Sequence, residues 1–183
     1  MSVTLRAIRE ADLERIMNWR MDPDITRYMN TDPKLTLEGQ KKWFAGIQEN
    51  SSVRYWIIQV DGEPAGVINL TRLDDPEGNL GWAYYVGEKR LRSLKTALSL
   101  EMSMYDYVFD VLGKNAVYSD VFTLNQGVIA LHKLCGCETV EEKKAQVVKN
   151  GVAYDVTYMR MTSELWQTAR LGKKYEKIDF PAC

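Results

Sequence analysis

The segment Asn125-Gln-Gly-Val-Ile-Ala-Leu-His-Lys-Leu-Cys-Gly136 is the point from which the rest of the chain is best read. The apolar residues of 128–134 predict a helix carrying His132, the only histidine in the sequence. One histidine on such a helix is more often a packed or surface residue than a catalyst, so position alone gives it no chemical role. Just upstream, residues 116–122 read as a strand. Further upstream, Leu94, Leu98, Tyr105, Val108, Phe109 and Leu112 recur at helical spacing. They predict one long helix from Ser93 to Leu112, ended by Gly113.

Working outward, residues 3–8 alternate as a first strand. Residues 10–19 follow as a helix with Leu13, Ile16 and Met17 on one face. Met21-Asp-Pro-Asp breaks it, and Asp24 is placed to cap a short second helix through Met29. Thr36 opens a third, with Leu37, Trp43, Phe44 and Ile47 as its buried side, and Asn50-Ser-Ser ends it. Strands at 54–60 and 65–71 are joined by Asp61-Gly62, a strong hairpin signal. Asp74-Asp-Pro-Glu-Gly78 is a turn, and residues 80–86 are an aromatic-rich strand. Gln146-Val-Val and residues 152–161 close the chain as a hairpin across Lys149-Asn-Gly151. Beyond Trp166, Lys173-Lys-Tyr-Glu-Lys reads as a frayed helix end and a flexible terminus. Residues 1–170 therefore form one domain and 171–183 a tail. The element order is that of an α/β sandwich, a mixed and mostly antiparallel sheet flanked by helices, rather than a βαβ nucleotide fold.

A chain of 183 residues suits one domain with one substantial core. With 24 basic and 25 acidic residues it lacks the broad cationic surface that nucleic acid requires. The start, MSVTLRAIREADLE, has neither a signal-peptide nor a membrane-anchor pattern. The cysteines Cys135, Cys137 and Cys183 are odd in number, and no second Cys/His pair completes a zinc site. These features predict a cytoplasmic protein without a metal.

The junction Gly87-Glu-Lys-Arg-Leu-Arg-Ser-Leu-Lys-Thr-Ala97 is the first chemical feature. A tight turn entering a helix presents backbone N–H groups to anions, and Lys89, Arg90, Arg92 and Lys95 gather beside it. A pyrophosphate cradle and a solvated helix start with incidental cations are both consistent with it. Strand alternation puts Trp82 and Tyr84 on one face and Tyr85 on the other, while Asn69 and Thr71 share a face that can point into a cleft. Trp19-Arg20 at a helix end can bring a guanidinium near that cleft.

Together these segments resemble the GNAT acetyltransferase superfamily. Arg92-Ser-Leu-Lys-Thr-Ala97 stands where that family binds the CoA pyrophosphate, and Asn125 through Gly136 is similar to its Asn…Leu-Tyr/His…Gly-Phe helix. The order Asn18-Trp-Arg, Asp22-Pro-Asp-Ile, Tyr28-Met, Trp43-Phe, Tyr55-Trp-Ile-Ile and Ile68-Asn-Leu-Thr71 resembles the PseH-type sugar acetyltransferases. The sequence departs from the family pattern at Ser93 and Lys95 (glycines), Gln40 (a histidine) and Cys137 (a phenylalanine).

The resemblance implies acetyl-CoA as co-substrate, bound by Tyr85, Val86, Arg92, Ser93, Leu94, Lys95, Thr96, Ala97, Asn125 and His132. It implies direct attack by the 4-amino group of a UDP-linked amino-dideoxy sugar on the thioester, in a ternary complex. His132 is the implied proton donor, with a backbone N–H near Tyr85 or Val86 polarising the carbonyl. Arg20, Gln40, Asn69 and Thr71 are the expected acceptor-side residues. A protein N-terminus or small amine as acceptor, a non-catalytic binding module, and a homodimer all stay open.

Overall fold

A computed structural model describes residues 2–182, so the reading of Cys183 lies outside the described residues. The strands are β1 (Val3–Ala7), β2 (Arg54–Val60), β3 (Glu63–Thr71), β4 (Asn79–Val86), β5 (Ala116–Phe122), β6 (Glu138–Lys149) and β7 (Val152–Thr162). They form one seven-stranded sheet in the order β1-β2-β3-β4-β5-β7-β6. Every neighbouring pair is antiparallel except β4 and β5. That parallel pair requires a crossover, supplied by α4 (Leu94–Asp106).

The helices lie on both faces because the strands alternate apolar residues to both. Ile57 and Val67 point to α1 (Leu13–Met21) and α3 (Leu37–Glu49), whose Leu13, Ile16, Trp19, Trp43 and Phe44 complete one core. Trp56, Ile58, Ile68, Leu70 and Trp82 point the other way. There they meet α4, α5 (Gln126–Cys135) and Trp166 of α6 (Ser163–Ala169). Gly136, in the left-handed region at φ 109°, ends α5.

Several elements differ from the sequence expectation. Asp22, not Asp24, caps α2 (Pro23–Thr26), accepting from the Asp24 N–H at 2.9 Å. Leu37, expected in the core, is exposed at the first position of α3, where Thr36 caps the helix through the Gly39 N–H. The long helix changes character after Asp106. Residues Tyr107–Val111 form a π turn, with the Leu112 N–H reaching Tyr107 O at 3.0 Å. The widened turn falls where the Tyr107 ring is held by Arg54 and stacked on Phe180. β6 begins at Glu138, well before the expected Gln146. Its exposed, charged, bulged run carried no strand signal, and those same features protect a sheet edge.

The segment read as a flexible tail packs against the body. The Ile178 N–H donates to Ser103 Oγ at 2.9 Å, and Trp56 Nε1 donates to Pro181 O at 2.9 Å. Phe180 lies edge-on to Trp56, with ring centroids 5.1 Å apart. Tyr175 donates to Asp106, which also receives Trp166 Nε1. The anchors Tyr175, Ile178 and Phe180 follow no helical or strand period, so only the groove between β2 and α4 gives them meaning.

A second long-range tie comes from Lys149, only 8% exposed at the β6–β7 turn. Its ammonium donates to Thr26 O at 2.8 Å and Met29 O at 3.1 Å, and pairs with Asp32. It thereby fixes the segment between α2 and α3 against the far end of the sheet.

Removing residues 174–183 is expected to lower the melting temperature by roughly 6–12 °C, the equivalent of about 3 kcal/mol in a chain of this size. Thermal unfolding of the truncated chain beside the full chain measures this.

Candidate active site

β4 and β5 share only three paired positions: Asn79↔Ala116, Leu80↔Val117 and Gly81↔Tyr118. Beyond Gly81 the strands part. Residues 82–86 keep β3 along one edge and have no strand along the other. Backbone groups on such an edge seek partners, and a bound molecule can supply them.

On the α1/α3 face of this divergence lies a cleft of about 690 Å³, lined by Asn69, Thr71, Arg72, Tyr118, Asp120 and Tyr158 among others. Asn30, from the segment that Lys149 fixes, closes one side of it. Gly81 is required here. A Cβ would lie 2.5 Å from Thr71 Oγ1 and push that hydroxyl from its place. Trp82 also lines the cleft, although its ring packs on the opposite face.

On that opposite face Trp82 stacks on Tyr84 at 5.6 Å and meets the His132 ring at 5.5 Å. His132 is 3% exposed, and its Nδ1 lies 2.8 Å from Oε1 of Glu101, a fully buried carboxylate on α4. The Tyr105 hydroxyl donates to the same oxygen at 2.8 Å. Burial first, then the Glu101 charge, pushes the phenols of Tyr84 and Tyr105 and the thiols of Cys135 and Cys137 upward, so all four hold their protons at neutral pH.

The Gly87–Ala97 junction contains a 3-10 turn (Lys89–Leu91) and then α4, capped by the Ser93 hydroxyl, which accepts from the Thr96 N–H at 3.0 Å. No residue from 92 to 97 has a positive φ, so serine and lysine stand at the family's glycine positions without backbone strain. The cations expected to form the cradle all engage protein groups. Lys89 pairs with Asp24, Arg90 with Glu63, and Lys95 with Glu176 at 3.1 Å, while Arg92 Nε donates to Val86 O at 2.8 Å. The first three pairs are exposed and individually weak, so an arriving phosphate can exchange for them. A cleft of about 850 Å³ borders the same turn on the α1 side, lined by Arg15, Asn18, Trp19, Lys89 and Arg90 among others.

The expected site residues are thus divided. Asn69 and Thr71 line the polar cleft. Arg20 does not; its guanidinium meets Met29 Sδ at 3.0 Å. Gln40 is buried in α3, outside the cleft lining. The Tyr85 side chain lies on the face opposite His132, edge-on to Trp19 at 6.3 Å, so only its backbone belongs to the open edge. Val86 and Ala97 are half-buried at that edge and at the start of α4, Leu94 is exposed, and Thr96 is buried. Asn125 receives the first N–H groups of α5 on its carbonyl, from Val128 and Ile129 at 3.2 Å each, and its side chain makes no cap bond. Asp120, Tyr118 and Glu101 were not anticipated. Glu101 had a signal: it sits three residues after Leu98 and four before Tyr105, a carboxylate at a core position of the helical pattern.

Residues 2–138 match the model of the acetyltransferase (GNAT) domain family. The chain belongs to the GNAT acetyltransferases. A curated relative, acetyltransferase PseH of Campylobacter jejuni subsp. jejuni serotype O:23/36 (strain 81-176), is 23% identical over 126 residues, 69% of this chain and 76% of that protein. The fold matches spermidine N-acetyltransferase from Vibrio cholerae in complex with CoA and spermine, with TM-score 0.83 and 19% identity, over 90% of this chain and 98% of that one. A chimera of the Vibrio cholerae enzyme with hSSAT superposes with TM-score 0.82 at 18% identity, covering 91% of this chain and 99% of that one. As a GNAT enzyme the protein catalyses acetyl-CoA-dependent N-acetyl transfer. Among the described residues there is no group of three or more His, Cys, Asp or Glu able to hold a metal ion, and no helix long and apolar enough to cross a membrane.

Two substitutions probe the turn at the Gly87–Ala97 junction. A Cβ at Gly87 would lie 2.3 Å from the Trp19 ring. Gly87→Ala is therefore expected to cost about 1–3 kcal/mol of stability and to loosen the turn, read by denaturant titration. Lys95→Ala is expected to weaken acetyl-CoA binding by at most about fivefold, read by calorimetry, because a single exposed charge is worth no more than about 1 kcal/mol.

Proposed function

We propose that this GNAT enzyme acetylates a primary amine on a nucleotide-linked amino sugar. The observation that carries the proposal is the parting of β4 and β5 into a slot with a polar cleft on one face and His132 on the other. In this reading acetyl-CoA supplies the activated acetyl group. The residues from Arg92 through Ala97 hold its phosphates at the start of α4, and the open edge of β4 near Tyr85 and Val86 donates a backbone N–H to the thioester oxygen. The acceptor lies on Asn69 and Thr71, with Tyr118 and Tyr158 offering aromatic faces to a ring and Asp120 a carboxylate to the amine. The amine attacks in its neutral form and gives its proton to water. His132 gives one to the departing sulfur as the C–S bond breaks.

The sequence order shared with PseH-type enzymes supports a sugar acceptor, as does the PseH relative. A second reading, a polyamine acceptor, is favoured by the cleft itself. Its lining includes Asp75, Glu77 and Asp120 against the one guanidinium of Arg72.

Free-thiol release from acetyl-CoA should be measured with a UDP-4-amino-4,6-dideoxy sugar and with spermidine. The sugar is expected to show kcat/KM at least tenfold higher; spermidine winning by that margin establishes the second reading. His132→Gln is expected to lower kcat by about 10²- to 10⁴-fold, the usual range for a proton-transfer group, with little change in acetyl-CoA affinity.

A further inference from the structure

Among the described residues Glu101 is the one carboxylate sealed in the core on the His132 side of the sheet, and everything that faces its Oε1 is a donor. Tyr105 donates its hydroxyl at 2.8 Å. The Cys137 sulfur lies 2.7 Å from that hydroxyl and 4.0 Å from Oε1, and its thiol keeps its proton. Nδ1 of His132 completes the set at 2.8 Å. Oε2 has no hydrogen-bond partner among the described residues. The groups that face the His132–Glu101 pair are Tyr84 from β4, Tyr105 from α4, Cys135 from α5 and Cys137 just beyond it. None of these four can become a cation. Lys173, whose ammonium donates to Leu134 O at 2.6 Å, acts on Cys135 from outside. A buried carboxylate without a compensating charge is strongly disfavoured, and His132 is the only group in contact with it that can supply one.

We infer that Glu101 is the positioning residue of the reaction, holding the His132 ring by Nδ1 and keeping Nε2 charged with the proton that the departing sulfur takes. This rests on the reading of His132 as proton donor given above. The consequence is a division of labour between the two ring nitrogens: Nδ1–H stays with the carboxylate and Nε2–H is the proton that moves. After transfer, the neutral ring retains its proton on Nδ1, and Nε2 takes up a new one from water. Tyr105 and Cys137 form a relay of hydrogen bonds behind the carboxylate that fixes its orientation. A purely structural Glu101, pinning α4 to α5, would serve stability without any preference for the charged imidazole.

His132 is the only histidine in the chain, so its ring gives one pair of ¹⁵N signals in NMR. In the wild-type protein the neutral ring is expected to carry its proton on Nδ1. A neutral ring protonated on Nε2 instead would mean that Glu101 holds the proton, and would overturn the proposal even if no variant folds. Glu101→Gln keeps the side-chain shape and removes the charge that holds the ring proton. An acid catalyst is active only while protonated, so the limb on which kcat falls with rising pH is expected to move to lower pH. At neutral pH kcat falls tenfold or more while the KM for acetyl-CoA stays within twofold. A Glu101→Gln protein with a lowered melting temperature but an unmoved limb would assign Glu101 to structure alone. His132→Gln, measured in parallel, separates the two levels. If it retains activity within a few-fold, the proton-donor reading fails. If it is inactive while Glu101→Gln keeps its pH profile, only the inference about Glu101 fails.

Discussion

The architecture depends on a parallel pairing that stops almost as soon as it begins. β4 and β5 hold three positions in common and then separate at Gly81 and Tyr118. A parallel pair cannot be joined by a hairpin, so the chain must leave the sheet, build α4, and return. That detour places the start of α4 beside the end of β4 and puts α5 directly after the far end of β5. A turn suited to phosphate, an unpaired strand edge and His132 are therefore brought to one place by one topological fact. Had the pairing continued to Val86, a closed sheet would separate the polar cleft from the buried aromatic cluster behind it.

The price of that opening is a polar cluster inside the core. Trp82, Tyr84, Tyr105, His132, Glu101 and the two cysteines fill the space behind the gap with groups that each need a partner. They find most of those partners in one another. Partly satisfied buried networks are costly. The hydrophobic residues around them, from Leu100 and Met104 to Met159 and Trp166, exclude water and keep the internal hydrogen bonds strong.

Two ties between sequence-distant segments give the site its walls. Lys149 reaches from the β6–β7 turn to the carbonyls of Thr26 and Met29 and so sets where Asn30 lies in the lining of the polar cleft. The C-terminal residues do the corresponding work on the other face, where Glu176 meets Lys95 and Phe180 covers Trp56 and Tyr107. Both ties join elements that are more than seventy positions apart along the chain in each case. The pocket is therefore a property of the whole fold.

The sequence by itself determined the elements whose signals are local. The hairpin at Asp61-Gly62, the strand at 116–122, the α5 helix and the opposite facing of Trp82 and Tyr85 follow from turn chemistry and periodicity within a few residues. The family motif added the function class, because the Arg92–Ala97 turn and the Asn125–Gly136 helix are short contiguous segments. Tertiary structure alone decided the rest. Arg20 and Gln40 share no local pattern that distinguishes a cleft wall from a packed side chain; Gln40 is buried in α3 and the Arg20 guanidinium turns to Met29, while Asn69 and Thr71 line the cleft. The tail looked like a solvated end because its anchors are aperiodic, and it is ordered by a groove made from other segments. Glu101 shows in the sequence only as a carboxylate at a core position of the helical pattern. Its meaning comes from His132, thirty-one residues away, which reaches it only because α4 and α5 pack side by side. Local chemistry fixes what each segment becomes; contact between segments fixes which side chains share a proton.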